Sequence, residues 1–367
     1  MSVLIKRIDS SSGGGSKGYP PGNISIIKKV GLNGSVSLRW SEPDDIVVGN
    51  QTLSIWSSTI IVRKEGSIPK SSTDGTVVIT NTTKNKYKDT DLVDSGLTNG
   101  KTYYYRFFTV NTDKVCNNDS SMIYAIKIIQ ADSILKNNSW ETINIVSEAG
   151  IASSLWNIGD EIDISLSEIE KTTDYNSAVY AQTITLQIWD FNHFDKSDGS
   201  GKAGICFGMK NLMKGNYIMY KDNYAGSGYG WNNSIIKNTT MPLILESMPT
   251  DLRKCIKEVN TYAKEDSGRL ESVGILSKDK IFIPGCTEVF GRNIGGLQYY
   301  SETNQLQFPI FTNTDYMCKC VGSSERHNWW TRSRVEGNYE FAIVEYDGNY
   351  KTRYMCNGSL LCLCFNV

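Results

Sequence analysis

The sequence predicts a mainly β chain with some α, arranged as an N-terminal β-sandwich followed by an α+β domain. Three observations carry this reading. Tyr and Trp number 20 and 8 beside 32 Gly, a mixture that favours pleated, half-buried surfaces joined by turns. Val36, Leu38 and Trp40 alternate with Ser35, Ser37 and Arg39, the period of a strand with one buried face. A chain of 367 residues exceeds one ordinary core and calls for two or more domains.

Charge and composition bound the function. A net charge of -1 gives no basic excess to drive nucleic-acid binding. No window of 18 apolar residues is present, so no membrane insertion is expected. Charges at Lys6 and Arg7 interrupt the first apolar stretch, which therefore does not read as a signal peptide. The nine Cys then read as reduced, mostly buried thiols of a protein made in a cytoplasm.

In chain order, residues 1–22 are an apolar-basic arm followed by a Gly/Ser linker, either a disordered tail or an arm that docks on a neighbouring subunit. Residues 23–130 carry the sandwich signals. After the strand ending at Trp40 come Ser58–Lys64, stopped by Gly66, and Thr76–Ile79, which follows the Asp74-Gly75 turn. Leu97, Gly100 and Tyr103 then precede the alternating run Tyr103–Phe108, a spacing that matches the tyrosine corner of immunoglobulin-like sandwiches, here without the disulfide. Trp40 and Tyr103 are expected to anchor this fold.

The order Trp40…Pro43-Asp44, Trp56-Ser57-Ser58-Thr59…Val62-Arg63-Lys64, Asp74-Gly75-Thr76 and Asp94-Ser95-Gly96-Leu97-Thr98-Asn99-Gly100-Lys101-Thr102-Tyr103 resembles fibronectin type III-like modules in tail proteins of phages of Gram-positive bacteria. That resemblance implies a spacer or docking module without chemistry of its own.

Residues 131–150 read as a connector or short helix. From Ile151 the chain is rich in Gly, Asn and aromatics. Glu161–Ser165 and Thr183–Asp190 read as strands, and an Asn or Ser cap in Asn232-Asn233-Ser234 starts a short helix at Ile235-Ile236. The strongest helical signal begins at Pro249, with Leu252, Cys255, Ile256, Val259 and Ala263 as its apolar stripe. Lys280–Pro284 reads as a short strand, Glu288–Gly291 as a loop, and Tyr339–Val344 and Leu361–Phe365 as closing strands around the Asp347-Gly348 turn. Between them, Trp329-Trp330-Thr331-Arg332-Ser333-Arg334 alternates across a strand. Two Trp followed by two Arg are not all expected to be buried.

Trp156…Gly159-Asp160, Tyr229-Gly230-Trp231-Asn232-Asn233-Ser234, Met248-Pro249-Thr250-Asp251-Leu252, Asp279–Pro284, Glu288-Val289 and Trp329–Ser333 resemble a family of uncharacterised domains in Gram-positive bacteria and their phages. That family is similar to C-type-lectin-like folds, the scaffold of phage tropism determinants and formylglycine-generating enzymes. The resemblance implies a C-type-lectin-like domain over residues 151–367 and shifts Trp329, Trp330 and Arg332 towards fold anchoring. The family's terminal Gly-Val-Arg-Pro-like strand is replaced here by Gly358–Phe365. The copper-binding cysteine motif of formylglycine-generating enzymes is not matched residue by residue.

No catalytic constellation emerges. His193 and His327 stand outside any nucleophile elbow and read as hydrogen-bonding loop residues. Cys318, Cys320, Cys362 and Cys364 form two Cys-x-Cys pairs that would offer zinc four thiolates if their strands were neighbours, but core thiols without metal are the preferred reading. Asp190, Asp195 and Asp198 read as a solvated acidic loop rather than a calcium site. Gly226–Gly230 lacks the ending of a phosphate loop. What remains is recognition by aromatics in Gly-, Asn- and Ser-rich loops, with Tyr224, Tyr229, Trp231, Tyr299, Tyr300, Arg334 and Tyr350 as candidate binding residues. The binding face is sought in residues 222–231, 292–305 and 345–358.

Taken with the resemblances, these readings lead to an expected function. The protein is a structural virion component of a tail fibre or baseplate, not an enzyme and without cofactors, that binds a host-surface glycan or protein through its C-terminal domain. Other virion proteins would be met through the arm and sandwich, as a homo-oligomer in the particle. The alternatives are a purely structural or decoration protein, and a metal- or thiol-dependent enzyme on a formylglycine-generating-enzyme-like fold.

Overall fold

A computed structural model describes residues 18–170, 178–222, 229–263, 275–291, 305–322, 325–335 and 339–367. It is mainly β, with 42% strand against 17% helix, so antiparallel sheets rather than helix packing make the cores. The chain divides into two compact units, the division falling between Gln130 and Ala131.

The first unit holds β1 (Ser25–Leu32), β2 (Ser35–Ser41), β3 (Ile46–Val48), β4 (Gln51–Ser54), β5 (Trp56–Glu65), β6 (Thr76–Asn81), β7 (Leu92–Ser95), β8 (Thr102–Asn111) and β9 (Ile123–Lys127). One sheet has the order β1-β2-β7 and the other β6-β5-β8-β9, with β3-β4 a separate hairpin. Asn33 and Gly34 both take positive φ, 46° and 75°, which is the two-residue turn whose twist suits a tight hairpin. Register follows from it, Leu32 pairing with Ser35. The alternation in β2 then sends Val36, Leu38 and Trp40 into the core, all at 0% exposure.

Trp40 organises that core. Its ring stacks on Tyr87 at 4.8 Å and meets Phe107 edge-on at 5.4 Å. Its Nε1 donates to the buried Glu42 carboxylate at 2.8 Å, which also accepts from Asn81 Nδ2 and the Asn85 amide. Every buried polar atom in this cluster is therefore paired, as burial requires. The Tyr103 hydroxyl accepts from the Thr98 amide at 3.2 Å, the bond that defines a tyrosine corner. Asp94 on β7 ties the two sheets together by accepting from Arg63 Nη1 of β5 at 2.7 Å and from the Tyr105 hydroxyl of β8 at 2.6 Å. Burial, with the Asp94 carboxylate alongside, pushes the Tyr105 hydroxyl far above its ordinary range, so it stays a donor.

In the second unit, residues 131–150 are part of the fold rather than a connector. Helix α1 (Trp140–Glu148) is capped by Ser139 Oγ, which accepts from the Thr142 amide at 3.2 Å. Trp140, Ile143 and Val146 recur at helical spacing and are buried, with the Trp140 ring against Phe207 at 5.4 Å. Next come β10 (Glu161–Leu166), β11 (Gln182–Phe191), β12 (Ile205–Met209), β13 (Met213–Tyr217), a π-helical turn over Ile236–Thr240, α2 (Met241–Ser247), α3 (Thr250–Arg253), β14 (Val259–Ala263), β15 (Ile275–Asp279), β16 (Ile281–Phe282) and α4 (Cys286–Phe290). The unit continues with β17 (Cys320–Val321), β18 (Glu325–Arg326), β19 (Trp329–Arg334), β20 (Glu340–Val344), β21 (Tyr350–Tyr354), β22 (Ser359–Leu361) and β23 (Cys364–Asn366). Two five-stranded sheets, β10-β11-β12-β23-β16 and β13-β22-β19-β20-β21, are accompanied by the β14-β15 and β17-β18 hairpins.

Three local expectations change. The long helix from Pro249 stops at Arg253. Its supposed stripe continues as β14, where Val259, Thr261 and Ala263 alternate inward with period two, because β-branched Val and Thr suit a pleat better than a third helical turn. Glu288–Gly291 is not a loop, since Cys286–Phe290 is helical. The closing run Leu361–Phe365 is two strands, β22 in one five-stranded sheet and β23 in the other, so Cys362 and Leu363 carry the chain between sheets.

The fourth correction concerns β19, whose six residues are all buried. Alternation holds, but both faces are covered. Trp329 Nε1 donates to the Met317 carbonyl at 3.0 Å and Trp330 Nε1 to the Tyr217 carbonyl at 2.8 Å. The Arg332 cation is accommodated by using its whole donor set. Nε donates to the Tyr262 carbonyl at 2.9 Å. Nη1 donates to the Ile283 carbonyl and Glu288 Oε2, and Nη2 to Glu288 Oε1 and Gln305 Oε1. Glu288 in turn takes the Gly285 amide at 2.9 Å and so caps α4. An ion pair at 0% exposure on both partners is tolerated only with this degree of satisfaction.

Two stability measurements follow. In urea unfolding, Trp40→Ala should lower the first unit's stability by about 3–5 kcal/mol, against about 1 kcal/mol for Tyr103→Phe. Arg332→Met should cost the second unit about 3–5 kcal/mol by leaving Glu288 buried and uncompensated. Arg332→Lys should recover little of that, because an ammonium cannot reproduce the fork. A cost below about 1 kcal/mol for Arg332→Met would contradict the role given to the pair.

Candidate binding groove

Most of the described aromatic and Arg candidates lie inside the fold. Trp231 is fully buried, its Nε1 donating to Asp279 Oδ2 at 3.1 Å, and the same carboxylate holds Thr261, Ser277 and the Lys237 ammonium. Arg334 is 1% exposed, with Nη1 donating to the Tyr229 carbonyl and the guanidinium 6.0 Å from that ring. Neither Trp231 nor Arg334 offers surface to a ligand, and both are corrected to fold positions. Local sequence context shows the Gly- and Asn-rich surroundings but not the β14-β15 hairpin and β19 that enclose them. Tyr229 is half-buried with its ring 4.8 Å from Tyr220, and Tyr350 is half-buried edge-on to Phe290 at 6.0 Å. Tyr224, Tyr299 and Tyr300 lie outside the described residues. Trp40, Tyr103, Trp329, Trp330 and Arg332 are all buried.

The cysteines do not assemble. Cys320 sits on β17, Cys364 on β23 and Cys362 between sheets, while Cys318 lies outside the strands; the neighbouring-strand geometry for four thiolates is absent. Among the described residues no group of three or more His, Cys, Asp and Glu is placed to hold a metal ion. Burial pushes the Cys362 thiol up to about 11, with the Lys319 ammonium opposing it, and Cys206 and Cys364 are pushed well up by burial too. That direction disfavours the thiolate a nucleophile or metal ligand needs. Lys319 is itself buried, donating to the Met209 and Lys210 carbonyls at 2.7 and 3.1 Å. Burial lowers its pKa.

His193 packs 4.3 Å from Phe308, its Nδ1 2.6 Å from Asp190 Oδ2. Asp195 pairs with Lys202 at 3.3 Å, and Asp198 accepts from the Ser200 amide at 2.8 Å. The acidic loop is thus built from local pairs rather than from carboxylates converging on one point.

An open groove of about 590 Å³ does bring functional groups together, within the ~300–1,000 Å³ range of small-ligand sites. Lys214 comes from β13, Arg326 from β18, His327 and Asn328 from the approach to β19, Tyr346 from the turn after β20, Arg353 from β21 and Leu360 from β22. The β13-β22-β19-β20-β21 order collects segments almost 150 residues apart along the chain. Gly358 brings its backbone close to β13: a Cβ there would fall 1.9 Å from Asn216 Oδ1. Ser359 Oγ donates to the Asn328 carbonyl at 3.0 Å, and Asn328 Oδ1 accepts from the Tyr346 amide at 2.9 Å. These bonds fix the floor and position the tyrosine, which is 56% exposed.

The electrostatics are one-sided. Among the described lining residues Lys214, Arg326 and Arg353 are cationic, His327 is ionisable, and none is Asp or Glu. Among the described residues, Lys214 and Arg326 form no ion pair. Arg353 Nη1 donates to the Gly358 carbonyl at 2.6 Å, which orients the guanidinium without neutralising it. Glu325, whose side chain is 80% exposed, lies 3.6 Å from His327 Nε2.

Of these groups, sequence reading had singled out only His327, as a loop residue, and the stretch 345–358 that supplies Tyr346 and Arg353. Lys214 and Arg326 carry no local signal, because each is an ordinary surface cation until the sheet order places them on one groove.

Residues 209–363 match the family described as Domain of unknown function (DUF6273), and the groove lining, from Lys214 to Leu360, falls within that stretch. No curated protein matches the chain. Among the described residues no helix is long and apolar enough to cross a membrane. The chain is a mainly β protein that carries a DUF6273 domain over residues 209–363.

Proposed function

We propose that the protein is a tail-associated virion component that attaches to a bacterial surface through its second unit, with the groove as the contact site. The observation that carries this reading is the groove: cations from β13, β21 and the β17-β18 hairpin together with an exposed tyrosine, and no acidic residue in the lining among the described residues. Such a preorganised surface suits recognition, since little side-chain or loop ordering is needed on binding. The two-unit layout agrees with it, as do the resemblance of the first part to phage tail modules and that of the second to a domain family of Gram-positive bacteria and their phages. A sandwich spacer would present the recognition unit away from a particle.

One feature of the first unit fits particle assembly. Val47 and Val48 on the β3-β4 hairpin, and Ile27 and Val93 on the β1-β2-β7 sheet, are each more than half exposed and would be apolar side chains available to a partner. Docking of the sandwich on other virion proteins is the corresponding role.

Co-sedimentation of the full chain with cell walls of Gram-positive bacteria tests the attachment reading. Wild type should pellet with the walls, and a Lys214→Ala, Arg326→Ala double variant should bind roughly tenfold more weakly, a loss of about 1.4 kcal/mol, with unchanged urea unfolding. Wall binding that ignores both substitutions would place attachment elsewhere, and no binding to any wall would leave a purely structural role.

A further inference from the structure

We propose that the groove takes an oxyanion-bearing chain: a run of sugar or polyol units carrying phosphate or carboxylate groups. The inference rests on the reading of the groove as the contact site and names the class of ligand it accepts. Its basis is the disposition of charge and apolar surface together.

Lys214 and Arg326 are exposed cations without ion pairs among the described residues, and Arg353 is held in place by a carbonyl rather than by a carboxylate. Cations left uncompensated in a groove whose described lining has no acid raise the local concentration of anions and favour them over neutral ligands. Arg326 and Arg353 suit the paired oxygens of a phosphate or carboxylate, and Lys214 acts as a point charge. Tyr346, Val321 and Leu360 line the same groove. A tyrosine face and two aliphatic side chains pack against the C–H surface of a sugar ring or polyol. The groove therefore combines charge with apolar contact, matching a ligand that carries acid groups on carbon-rich units.

Nucleic acid shares the phosphodiester chemistry, yet the observations favour the simpler chain. The protein's net charge is -1, without the basic stripe that tracks a nucleic-acid backbone. Among the described residues the lining offers two rings, Tyr346 and the His327 imidazole, where a run of successive bases requires a longer series of stacking platforms.

Equilibrium binding of the full chain to four soluble probes of similar length tests the proposal: a glycerol-phosphate oligomer, an oligogalacturonate, a neutral maltohexaose and an oligothymidylate. The two acidic probes without bases should bind. Their affinity should fall roughly tenfold between 50 and 200 mM salt and again roughly tenfold in the Lys214→Ala, Arg326→Ala variant, while Arg326→Lys, which keeps the charge but not the fork, should lose less than Arg326→Ala. A preference between these two probes identifies phosphate or carboxylate as the group read. Maltohexaose binding equally well and without salt dependence would overturn the inference while leaving the groove as the contact site. Acidic-probe binding unaffected by the groove substitutions would overturn it too, as would tighter binding of oligothymidylate than of either. If no probe binds while wall binding still depends on Lys214 and Arg326, the ligand class is wrong and the attachment reading survives. If wall binding is also absent, both fail.

Discussion

The second unit depends on one buried charge pair. Arg332 lies in the middle strand of a five-stranded sheet with no exposed surface, and a lone guanidinium there would carry a desolvation penalty of several kcal/mol. The chain answers it with Glu288 and three further oxygens drawn from Tyr262, Ile283 and Gln305, so that each of the guanidinium's hydrogens has an acceptor. Because those acceptors come from β14, the segment after β16, α4 and the residues before Phe308, one side chain fixes four parts of the chain against β19. Glu288 also caps the helix that carries it, so the pair couples local helix formation to tertiary closure.

The groove inherits its rigidity from that frame. β19 pairs with β20 on one side and β22 on the other, and Asn328 just before β19, Tyr346 just after β20 and Ser359 at the start of β22 line the groove. Asn328, immediately before β19, binds both Ser359 and the Tyr346 amide, so the position of the exposed tyrosine is set by the same strand that holds Arg332. Charge is handled oppositely at the two places. In the interior every donor of Arg332 is matched, whereas at the groove Lys214 and Arg326 stay exposed and have no ion pair among the described residues. That contrast separates a cation that holds the fold from cations suited to an external partner.

How much of this was legible in the sequence differs by length scale. Strands with clean alternation, such as Val36 to Trp40, and turns with explicit chemistry could be read directly, and the Leu97–Tyr103 spacing located the Thr98–Tyr103 bond. The Asn33-Gly34 turn carried an equally plain signal that local reading passed over. Elements whose identity is set by their surroundings were not legible. Val259 to Ala263 fits a helical stripe as well as a strand until β15 pairs with it, and Leu361 to Phe365 looks like one strand although two sheets divide it. The same limit applies to function. Trp231 and Arg334 resemble ligand-binding residues by type, yet neighbouring segments bury them. Lys214, Arg326 and Arg353 resemble ordinary surface cations, and only sheet order assembles them.

The central claim, that this groove is the face that meets a bacterial surface, is open to direct mapping. Lysine and tyrosine side chains of the full chain can be chemically modified with and without saturating Gram-positive wall fragments, and each site's protection read by mass spectrometry. The account predicts protection at Lys214 and Tyr346 and unchanged labelling at Lys84 and Lys101 of the first unit. Protection confined to the first unit, with Lys214 and Tyr346 labelled as in the free protein, would contradict it.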